Sequence, residues 1–266
     1  MKRIISMTLL VLVLMTSFAL AEDTSMSYIM DKGTFILGLD DSLPPMGYRN
    51  EENEIVGFDI DVAKEFCKRL GVELILQPID WGAKELELSS KNIDCIWNGM
   101  SITPQRQESM SMTFSYLNNQ ILVYTRKSDA VKSAADLAGK IVAVQGGSFA
   151  EDILNSDENK AMTESFGEVL PFEDYLTALM DLQQGGVDAV AIDLVVANFH
   201  LASIGDDALE STIALSDDNY GVGFRKEDVA LCQKTEEILM DMKADGTLAA
   251  ISTTWFGSDI TVVPTK

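Results

Sequence analysis

The sequence predicts an α/β protein with two lobes joined by two short strands. In each half of the chain, apolar runs typical of buried strands alternate with amphipathic helical patterns. The halves also echo each other, because residues 89–99 and 182–193 both contain a helix end, a turn, an apolar residue, an Asp and a buried strand. Apolar runs flanked by polar residues at 117–129 and 219–228 would carry the chain between the lobes.

The chain begins with the features of a secretory signal peptide over residues 1–21. Lys2 and Arg3 supply positive charge, an apolar core follows, and the residues at 19–21 form a small-x-small cleavage site. No Cys follows that site, so no lipid anchor is expected, and no later apolar run is long enough to cross a bilayer. We therefore expect a periplasmic or secreted protein that is soluble after the signal peptide is cleaved.

The charge of the chain excludes some classes of partner. The formal net charge is −22, and it becomes −24 when Lys2 and Arg3 are removed with the signal peptide. Such a surface repels nucleic acid and anionic lipid, so no nucleic-acid partner is expected. We interpret the charge mainly as an aid to solubility, with a weak preference for cationic ligands.

The three cysteines are Cys67, Cys95 and Cys232, and an odd number leaves at least one thiol unpaired in an exported protein. We expect buried free thiols, and a disulfide stays open as an alternative. His200 is the only histidine, and these four residues do not lie at the spacing of a zinc site. No metal or other cofactor is predicted.

The first half of the chain follows a β-α-β-α-β order. Strands are predicted at 34–41, 72–78 and 93–99, and helices at 57–71 and 81–92. This order predicts a parallel sheet with helices on its faces.

The second half repeats this order and the chain then returns to the first lobe. Strands are predicted at 140–147, 168–172 and 187–193, and helices at 148–155, 175–186, 194–202 and, as a pair, within 234–257. Lobe 1 is therefore predicted to comprise 22–120 and 222–266, lobe 2 to comprise 121–221, and the hinge to lie near 118–123 and 220–224.

Arg106 is the first candidate binding residue. Thr103 is a predicted helix N-cap and Pro104 the first helical residue, which places Arg106 in the first turn of the helix. A cation is unfavourable there by about 0.3–1 kcal/mol, so an anionic partner is expected. The planar guanidinium suits a ligand carboxylate, whereas an ion pair with Glu108 is the alternative.

Ligands bind at the carboxyl ends of the strands in open α/β sheets, so residues that follow the strands are further candidates. After the third strand, Asn98 and Gly99 lie where the backbone can approach a ligand closely, and Ser101 offers a hydroxyl. In the second half, Gly147 and Ser148 lie at a helix start, where free backbone N–H groups would bind an anion.

Two aspartates and four apolar residues complete the candidate site. Asp193 would accept hydrogen bonds from an ammonium group or cap the following helix, and Asp40 would face a cleft or lie in a solvated turn. The apolar residues that would enclose a ligand are Leu43, Met46, Trp81 and Phe149. The combined set describes an α-amino acid bound as a zwitterion between two lobes.

Six segments carry a resemblance to a known family. They are GFDIDVAKEFCKRLG, IDCIWNGMSITPQR, LAGKIVAVQGGS, GGVDAVAID, YGVGFRKED and MKADGTLAAISTTWFG, and they span almost the whole mature chain. The sequence resembles the extracellular substrate-binding proteins of polar amino acid ABC transporters, solute-binding protein family 3. This resemblance implies the periplasmic-binding-protein type II fold, in which each of two lobes is a mixed sheet flanked by helices and two hinge strands join them.

The resemblance also implies roles for the residues that recognise the ligand backbone. Arg106 would bind the ligand carboxylate, helped by the N–H and hydroxyl of Ser148. Asp193 would bind the α-ammonium group, with the Gly99 carbonyl and the Ser101 hydroxyl.

The side-chain pocket departs from the family pattern. Asp40 lies where related proteins place an acid near the ligand side chain, and Trp81 lies at a pocket-wall position. Leu43 replaces an aromatic residue that stacks on the ligand in some relatives, Met46 replaces a usual Phe, and Gly147 replaces a common hydroxyl residue.

The resemblance implies a binding protein that captures a free L-amino acid, polar or cationic, by closure of the lobes and delivers it to an ABC permease. We expect a monomer. No G-x-S-x-G, H-E-x-x-H or paired catalytic acid is present, so an enzyme is not predicted. The alternatives are an enzyme on the same scaffold, similar to cyclohexadienyl or arogenate dehydratases, and a ligand-sensing receptor module.

Overall fold

The computed structural model describes residues 23–204 and 208–265. The predicted signal peptide at 1–21 lies outside the described residues. Within the described ranges, no helix combines the length and the apolar character that crossing a membrane requires.

The first half of the chain forms the elements that the β-α-β-α-β pattern predicts, together with several short ones. They are α1 (Ser25–Lys32), β1 (Thr34–Leu39), β2 (Ser42–Leu43), β3 (Gly47–Arg49), β4 (Ile55–Val56), α2 (Phe58–Leu70), β5 (Glu73–Pro78), a 3-10 turn (Trp81–Ala83), α3 (Lys84–Ser89), β6 (Cys95–Ser101), α4 (Pro104–Ser109) and β7 (Met110–Met112).

The second half has the same alternation between two long strands. It contains β8 (Leu117–Arg126), 3-10 turns (Lys127–Asp129 and Ala134–Leu137), β9 (Ile141–Gln145), α5 (Phe149–Leu154), α6 (Lys160–Thr163), β10 (Glu168–Phe172), α7 (Tyr175–Gln184), β11 (Ala189–Asp193), α8 (Leu194–Ile204), β12 (Leu209–Arg225), α9 (Val229–Ala244) and α10 (Thr247–Phe256).

The long strands form one continuous mixed sheet in the order β10-β9-β11-β8-β12-β6-β1-β5. Strand β1 is parallel to β5 and β6, and β9 is parallel to β10 and β11. Strands β8 and β12 are antiparallel to each other and to their outer neighbours β11 and β6. We call the β5-β1-β6 side with its helices lobe 1, and the β10-β9-β11 side with its helices lobe 2.

Strands β8 and β12 are the two connections between the lobes. They pair from Leu117 opposite Tyr220 to Arg126 opposite Leu209, so each lobe is tied to a shared antiparallel ladder. The predicted lobe boundaries at 120/121 and 221/222 fall inside these two strands and stay predictions.

Helix α2 shows how the apolar pattern builds the core of lobe 1. Its predicted inner face is buried, with Ile60, Ala63 and Phe66 fully inaccessible to solvent. The ring of Phe66 packs edge-on against Trp97 of β6, with 5.8 Å between ring centroids. The three cysteines are buried free thiols, which confirms the expectation from their number.

Several short elements were not predicted, because they lack a clear apolar period. Strands β2, β3 and β4 form a small separate antiparallel sheet after β1. Strand β12 begins at Leu209, ten residues before the predicted run at 219, because its polar first half is held by pairing with β8. Helix α9 begins at Val229, ahead of the predicted start at 234.

Arg225 fixes the end of β12 to lobe 1. Its buried guanidinium donates to the carbonyls of Ile93 at 2.7 Å and Leu88 at 3.3 Å. It also forms ion pairs with Asp228 at 2.6 Å and Asp94 at 3.7 Å. One end of the hinge is therefore anchored by buried charge–charge and charge–carbonyl contacts.

Replacing Arg225 by Met should destabilise the protein by about 3–5 kcal/mol, since Asp228 is left partly buried without its cation. The matched control is Lys64→Met, which removes the cation of another i,i+3 pair, with Asp61, that is largely exposed. That change should cost less than about 1 kcal/mol. Chemical denaturation measures both free energies of unfolding, and equal losses would contradict the anchoring role of Arg225.

Candidate functional site

The carboxyl ends of strands from both lobes meet at one cleft beside the hinge. In lobe 1 they bring Asp40 and Ser101, and in lobe 2 they bring Gln145 and Asp193. The lobes touch across the cleft, because Gln145 Nε2 donates to Asp40 Oδ2 at 2.7 Å. Side chains that the sequence places far apart are therefore neighbours in a closed arrangement.

A lysine makes a second polar contact across the cleft. Lys84 Nζ donates to the carbonyl of Gly147 in lobe 2 at 2.8 Å and to the carbonyl of Trp81 at 3.2 Å. The ammonium also lies over the Trp81 ring, 5.0 Å from its centroid. Burial, with Arg106 nearby, lowers the pKa of Lys84 to about 8.

Arg106 is buried at the edge of the cleft, and its helix begins as predicted. The Thr103 hydroxyl accepts a hydrogen bond from the Arg106 N–H at 3.2 Å, which confirms Thr103 as the N-cap. Arg106 Nη1 donates to the Ser101 carbonyl at 2.9 Å. Arg106 Nη2 lies 3.8 Å from Asp152 Oδ2 of lobe 2, so its ion-pair partner is Asp152 rather than the predicted alternative Glu108.

The burial of Arg106 has an electrostatic cost. Removal from water lowers the pKa of its guanidinium, and the carboxylates of Asp152, Asp218, Glu85 and Asp193 oppose that change. A charge held in this way gains from any further anion that enters the cleft.

Two carboxylates lie on the other side of the cleft. Asp193 Oδ1 accepts hydrogen bonds from Asn119 Nδ2 at 2.6 Å and Tyr220 Oη at 2.5 Å. Asp218 Oδ2 accepts from the same Asn119 Nδ2 at 2.9 Å and from Ser101 Oγ at 3.0 Å. At the start of helix α8, the backbone N–H of Val195 donates to Asn119 Oδ1 at 3.4 Å and not to Asp193.

Both carboxylates have raised pKa values because they are buried. Burial is the main cause that raises the pKa of Asp193 to about 6, and the charge of Asp218 adds to it. Burial likewise raises the pKa of Asp218, against hydrogen bonds from Asn119, Asn219 and Ser101.

Tyr175 of α7 brings a further phenol to this side. Its hydroxyl is buried beside Ser148 and Asp193. Within the described part of the chain it has no partner that meets hydrogen-bond geometry. Burial, the main cause, and the charge of Asp193 raise the pKa of Tyr175.

Asp40 has partners on both oxygens. Its Oδ1 accepts from the N–H and hydroxyl of Ser42 at 2.9 and 2.5 Å, and its Oδ2 accepts from Gln145. The Asp40 N–H donates to Asn98 Oδ1 at 3.2 Å. Burial raises the pKa of Asp40 against these hydrogen bonds.

The turn that opens helix α5 differs from the prediction. Its N–H groups were expected to be free for an anion, but the Gly147 N–H donates to Glu151 Oε2 at 2.7 Å. The Ser148 N–H donates to the Gln145 carbonyl at 3.3 Å, and the Ser148 hydroxyl caps the helix by accepting from the Glu151 N–H at 3.2 Å. In this arrangement the turn is closed on itself because an acidic side chain follows it.

The apolar candidates divide into two groups. Leu43 and Trp81 are buried at the cleft, and the Leu43 side chain lies beside Gly99, which has a positive φ of 56°. Met46 is fully buried in lobe 1, as is the polar candidate Asn98, and Phe149 packs partly buried on the core of lobe 2.

Several cleft residues were missed by the sequence analysis, namely Lys84, Asn119, Gln145, Tyr175, Asp218 and Tyr220. The prediction considered only residues that follow strands, whereas Asn119 and Asp218 lie within the hinge strands. Paired polar residues inside otherwise apolar hinge runs were the signal that could have found them.

The chain is similar to proteins of known function over most of its length. Residues 35–258 match the bacterial extracellular solute-binding proteins, family 3. An L-cystine-binding protein of Escherichia coli (strain K12) is 29% identical over 243 residues, which cover 91% of this chain and 89% of that protein. ABC transporter arginine-binding protein 1 of the same organism is 31% identical over 224 residues, covering 82% and 89%.

A solved structure supports the same relationship. An ABC uptake transporter substrate binding protein from Streptococcus pneumoniae, solved with bound histidine, matches with a TM-score of 0.86 and 32% identity. The match covers 91% of this chain and 99% of that one. This likeness confirms the predicted two-lobed α/β fold.

The close approach of the lobes at Gly147 leads to a prediction. A Cβ at Gly147 would lie 3.0 Å from Gly82 Cα of lobe 1, so Gly147→Ala should oppose closure by about 1–3 kcal/mol and weaken ligand binding accordingly. Gly139→Ala is the matched control, because Gly139 has nearly the same φ, 73° against 72°, and nothing within 4 Å of its Cβ position. Titration calorimetry with a bound amino acid measures the difference; equal affinities would show that this approach does not limit closure.

Proposed function

The chain belongs to the bacterial extracellular solute-binding proteins of family 3, and from this premise we propose that it captures a free L-amino acid between its lobes and delivers it to the permease of an ABC transporter. The observation that carries the proposal is the placement of opposite charges in one cleft. Arg106 lies within ion-pair distance of lobe 2, and Asp193 lies in a buried network that reaches Ser101 of lobe 1 through Asn119 and Asp218.

The charged groups of the ligand backbone would pair with these opposite charges of the cleft. Its carboxylate would bind Arg106 and the hydroxyl of Ser148, and its ammonium group would bind Asp193, Ser101 and the Gly99 carbonyl. Each charge-assisted hydrogen bond contributes roughly 1.5–3 kcal/mol net. Three or four such bonds, less the cost of closing the lobes, correspond to a dissociation constant of about 1 μM or below.

Asp40 supports a polar or cationic ligand side chain. Its buried carboxylate contacts lobe 2 through Gln145, next to the cleft walls formed by Leu43 and Trp81. The relatives described above are named for L-cystine and arginine, and one was solved with histidine. These ligands share the α-amino acid backbone and differ in side chain, so the contacts proposed for the backbone suit all of them.

The proposed cycle places the protein outside the cell membrane. The predicted signal peptide at 1–21 would export it, and the strands β8 and β12 would act as the hinge on which the lobes open and close. We propose a monomer that docks on permease subunits in its closed form. The relatives named above are binding proteins, which supports binding rather than catalysis.

A thermal-shift screen over the common L-amino acids, with L-cystine included, tests the function directly. At least one polar or cationic amino acid should raise the melting temperature, because a ligand bound only to the folded state stabilises it by mass action. Calorimetry on each hit then gives the affinity. A screen without any hit, on protein shown to be folded, would reject the proposal.

Replacing Arg106 by Ala should weaken binding of the best ligand by about 2–5 kcal/mol, since a desolvated carboxylate would be left unpaired. Arg69→Ala is the control, because Arg69 pairs with Glu65 and Asp245 on the surface of lobe 1. Calorimetry should show unchanged affinity for the control. Unchanged affinity for Arg106→Ala would remove Arg106 from the ligand site.

The role of Asp193 can be separated from helix capping. Asp193→Asn should weaken ligand binding with little change in the melting temperature of the free protein, because Asn keeps an acceptor for Asn119 and Tyr220. A drop in melting temperature with full affinity would instead assign Asp193 a structural role.

A further inference from the structure

We propose that Asp218 is a specificity-determining residue of the cleft: with Asp193 it forms a two-carboxylate receptor for the ligand's ammonium group, so that capture of an amino acid displaces a proton carried by one of the two acids. This inference rests on the proposed function, because it concerns how the same cleft recognises its ligand. Asp218 lies in the hinge strand β12, between the lobes that close on the ligand.

One amide joins the two carboxylates. Asn119 Nδ2 donates to Asp193 Oδ1 at 2.6 Å and to Asp218 Oδ2 at 2.9 Å. An amide nitrogen has two hydrogens, so both are used by these bonds. The two acids are therefore held side by side, although they come from different elements of the chain.

The neighbouring hydroxyls are already committed as donors. Ser101 Oγ donates its one hydrogen to Asp218 Oδ2 at 3.0 Å, and Tyr220 Oη donates its one hydrogen to Asp193 Oδ1 at 2.5 Å. The phenol of Tyr175 also lies beside Asp193 and Ser148. The Ser101 oxygen and the two carboxylates thus offer the cleft lone pairs, which suit a group with several N–H donors.

The local charge balance favours a further positive charge. The carboxylates of Asp193 and Asp218 are both buried, and the charge of Arg106 reaches both of them. The phenols of Tyr116, Tyr175 and Tyr220, which are neutral when protonated, also lie close to one or both acids. One guanidinium that also binds the ligand carboxylate does not neutralise both acids, so the pair favours a second cation.

Without a ligand, a proton supplies that charge below about pH 6. Burial raises the pKa of both acids, and the charge of Asp218 adds to the rise for Asp193, whose pKa becomes about 6. A bound ammonium group favours the ionised carboxylates and lowers these pKa values again. The displaced proton passes to the solvent, and the ammonium group takes its place without any change in covalent bonds of the ligand.

Two consequences follow for recognition. The ligand must carry a charged primary amino group, so an analogue without the α-amino group leaves the two acids without a partner. Affinity should fall as the pH drops through about 6, by roughly ten-fold between pH 7 and pH 5. The sign follows because binding releases a proton, and a higher proton concentration opposes the release.

The test uses Asp218→Asn, which keeps the shape and removes the charge. The matched control is Asp217→Asn, because Asp217 is the neighbouring residue and its side chain bonds Gln120 Nε2 at an exposed position. Calorimetry is run at pH 5, 6, 7 and 8 with L-arginine, or with the strongest hit of the screen if that is a different amino acid. At pH 6 each titration is repeated in buffers of different ionisation enthalpy, which counts the protons released.

Wild type and Asp217→Asn should release about half a proton per bound ligand at pH 6, where an acid with a pKa of about 6 is half protonated, and lose about ten-fold in affinity from pH 7 to pH 5. Asp218→Asn should bind at least ten-fold more weakly at pH 8 and release fewer protons at pH 6, with a flatter pH profile. Equal affinity and equal proton release in Asp218→Asn would overturn the proposal. A merely structural role would lower the melting temperature without changing the proton count.

Two further measurements keep the outcome decisive. Ligand binding to the wild-type protein must release protons at pH 6. A binding enthalpy that is the same in every buffer therefore overturns the proposal, even if Asp218→Asn does not fold. The probe 5-guanidinopentanoate, which is arginine without its α-amino group, should bind wild type and Asp218→Asn with similar, low affinity. If no amino acid binds at all, the proposed function itself fails; if one binds without these signatures, only the role of Asp218 fails.

Discussion

The pairing of β8 with β12 is the constraint on which the rest of the molecule depends. This ladder runs from Leu117 opposite Tyr220 to Arg126 opposite Leu209, and it sits between the parallel strands of the two lobes. Because both lobes extend from it, the carboxyl ends of their strands face one cleft. The same two strands bury polar side chains at their centre, and Asn119 and Asp218 lie directly beside the strand ends that they connect.

Polar contacts cross the cleft in the closed arrangement, and the ring of Tyr48 in lobe 1 packs on that of Phe199 in lobe 2, with 5.8 Å between ring centroids. Asp40 with Gln145, and Lys84 with the Gly147 carbonyl, are hydrogen bonds across the lobes. Each such bond contributes about 0.5–1.5 kcal/mol net, because opening exchanges it for bonds to water. Contacts of this size can be made and broken readily, which suits a protein that closes on a ligand and later releases it.

The cleft concentrates charges that burial makes unfavourable without partners. Arg106, Asp193 and Asp218 are all removed from water. This burial lowers the pKa of Arg106 and raises the pKa values of Asp193 and Asp218, so it favours the neutral form of each group. Such groups bind strongly to complementary charges because no further desolvation of the site is needed. The proposed capture of a zwitterion would use this preorganisation, because each charged group of the ligand would meet an opposite charge that is already in place.

The sequence by itself determined the features that depend on neighbours a few residues apart. The alternation of strands and helices, the cap at Thr103 that places Arg106 in the first turn, and Asp193 at the end of β11 all follow from local periodicity and hydrogen bonding. Only the tertiary structure decided that Asp218 joins the site and that Gln145 contacts Asp40. Asp218 meets Asn119 across 99 residues of chain, and Gln145 meets Asp40 across 105 residues. No local pattern records such contacts, because they depend on strand pairing and lobe closure.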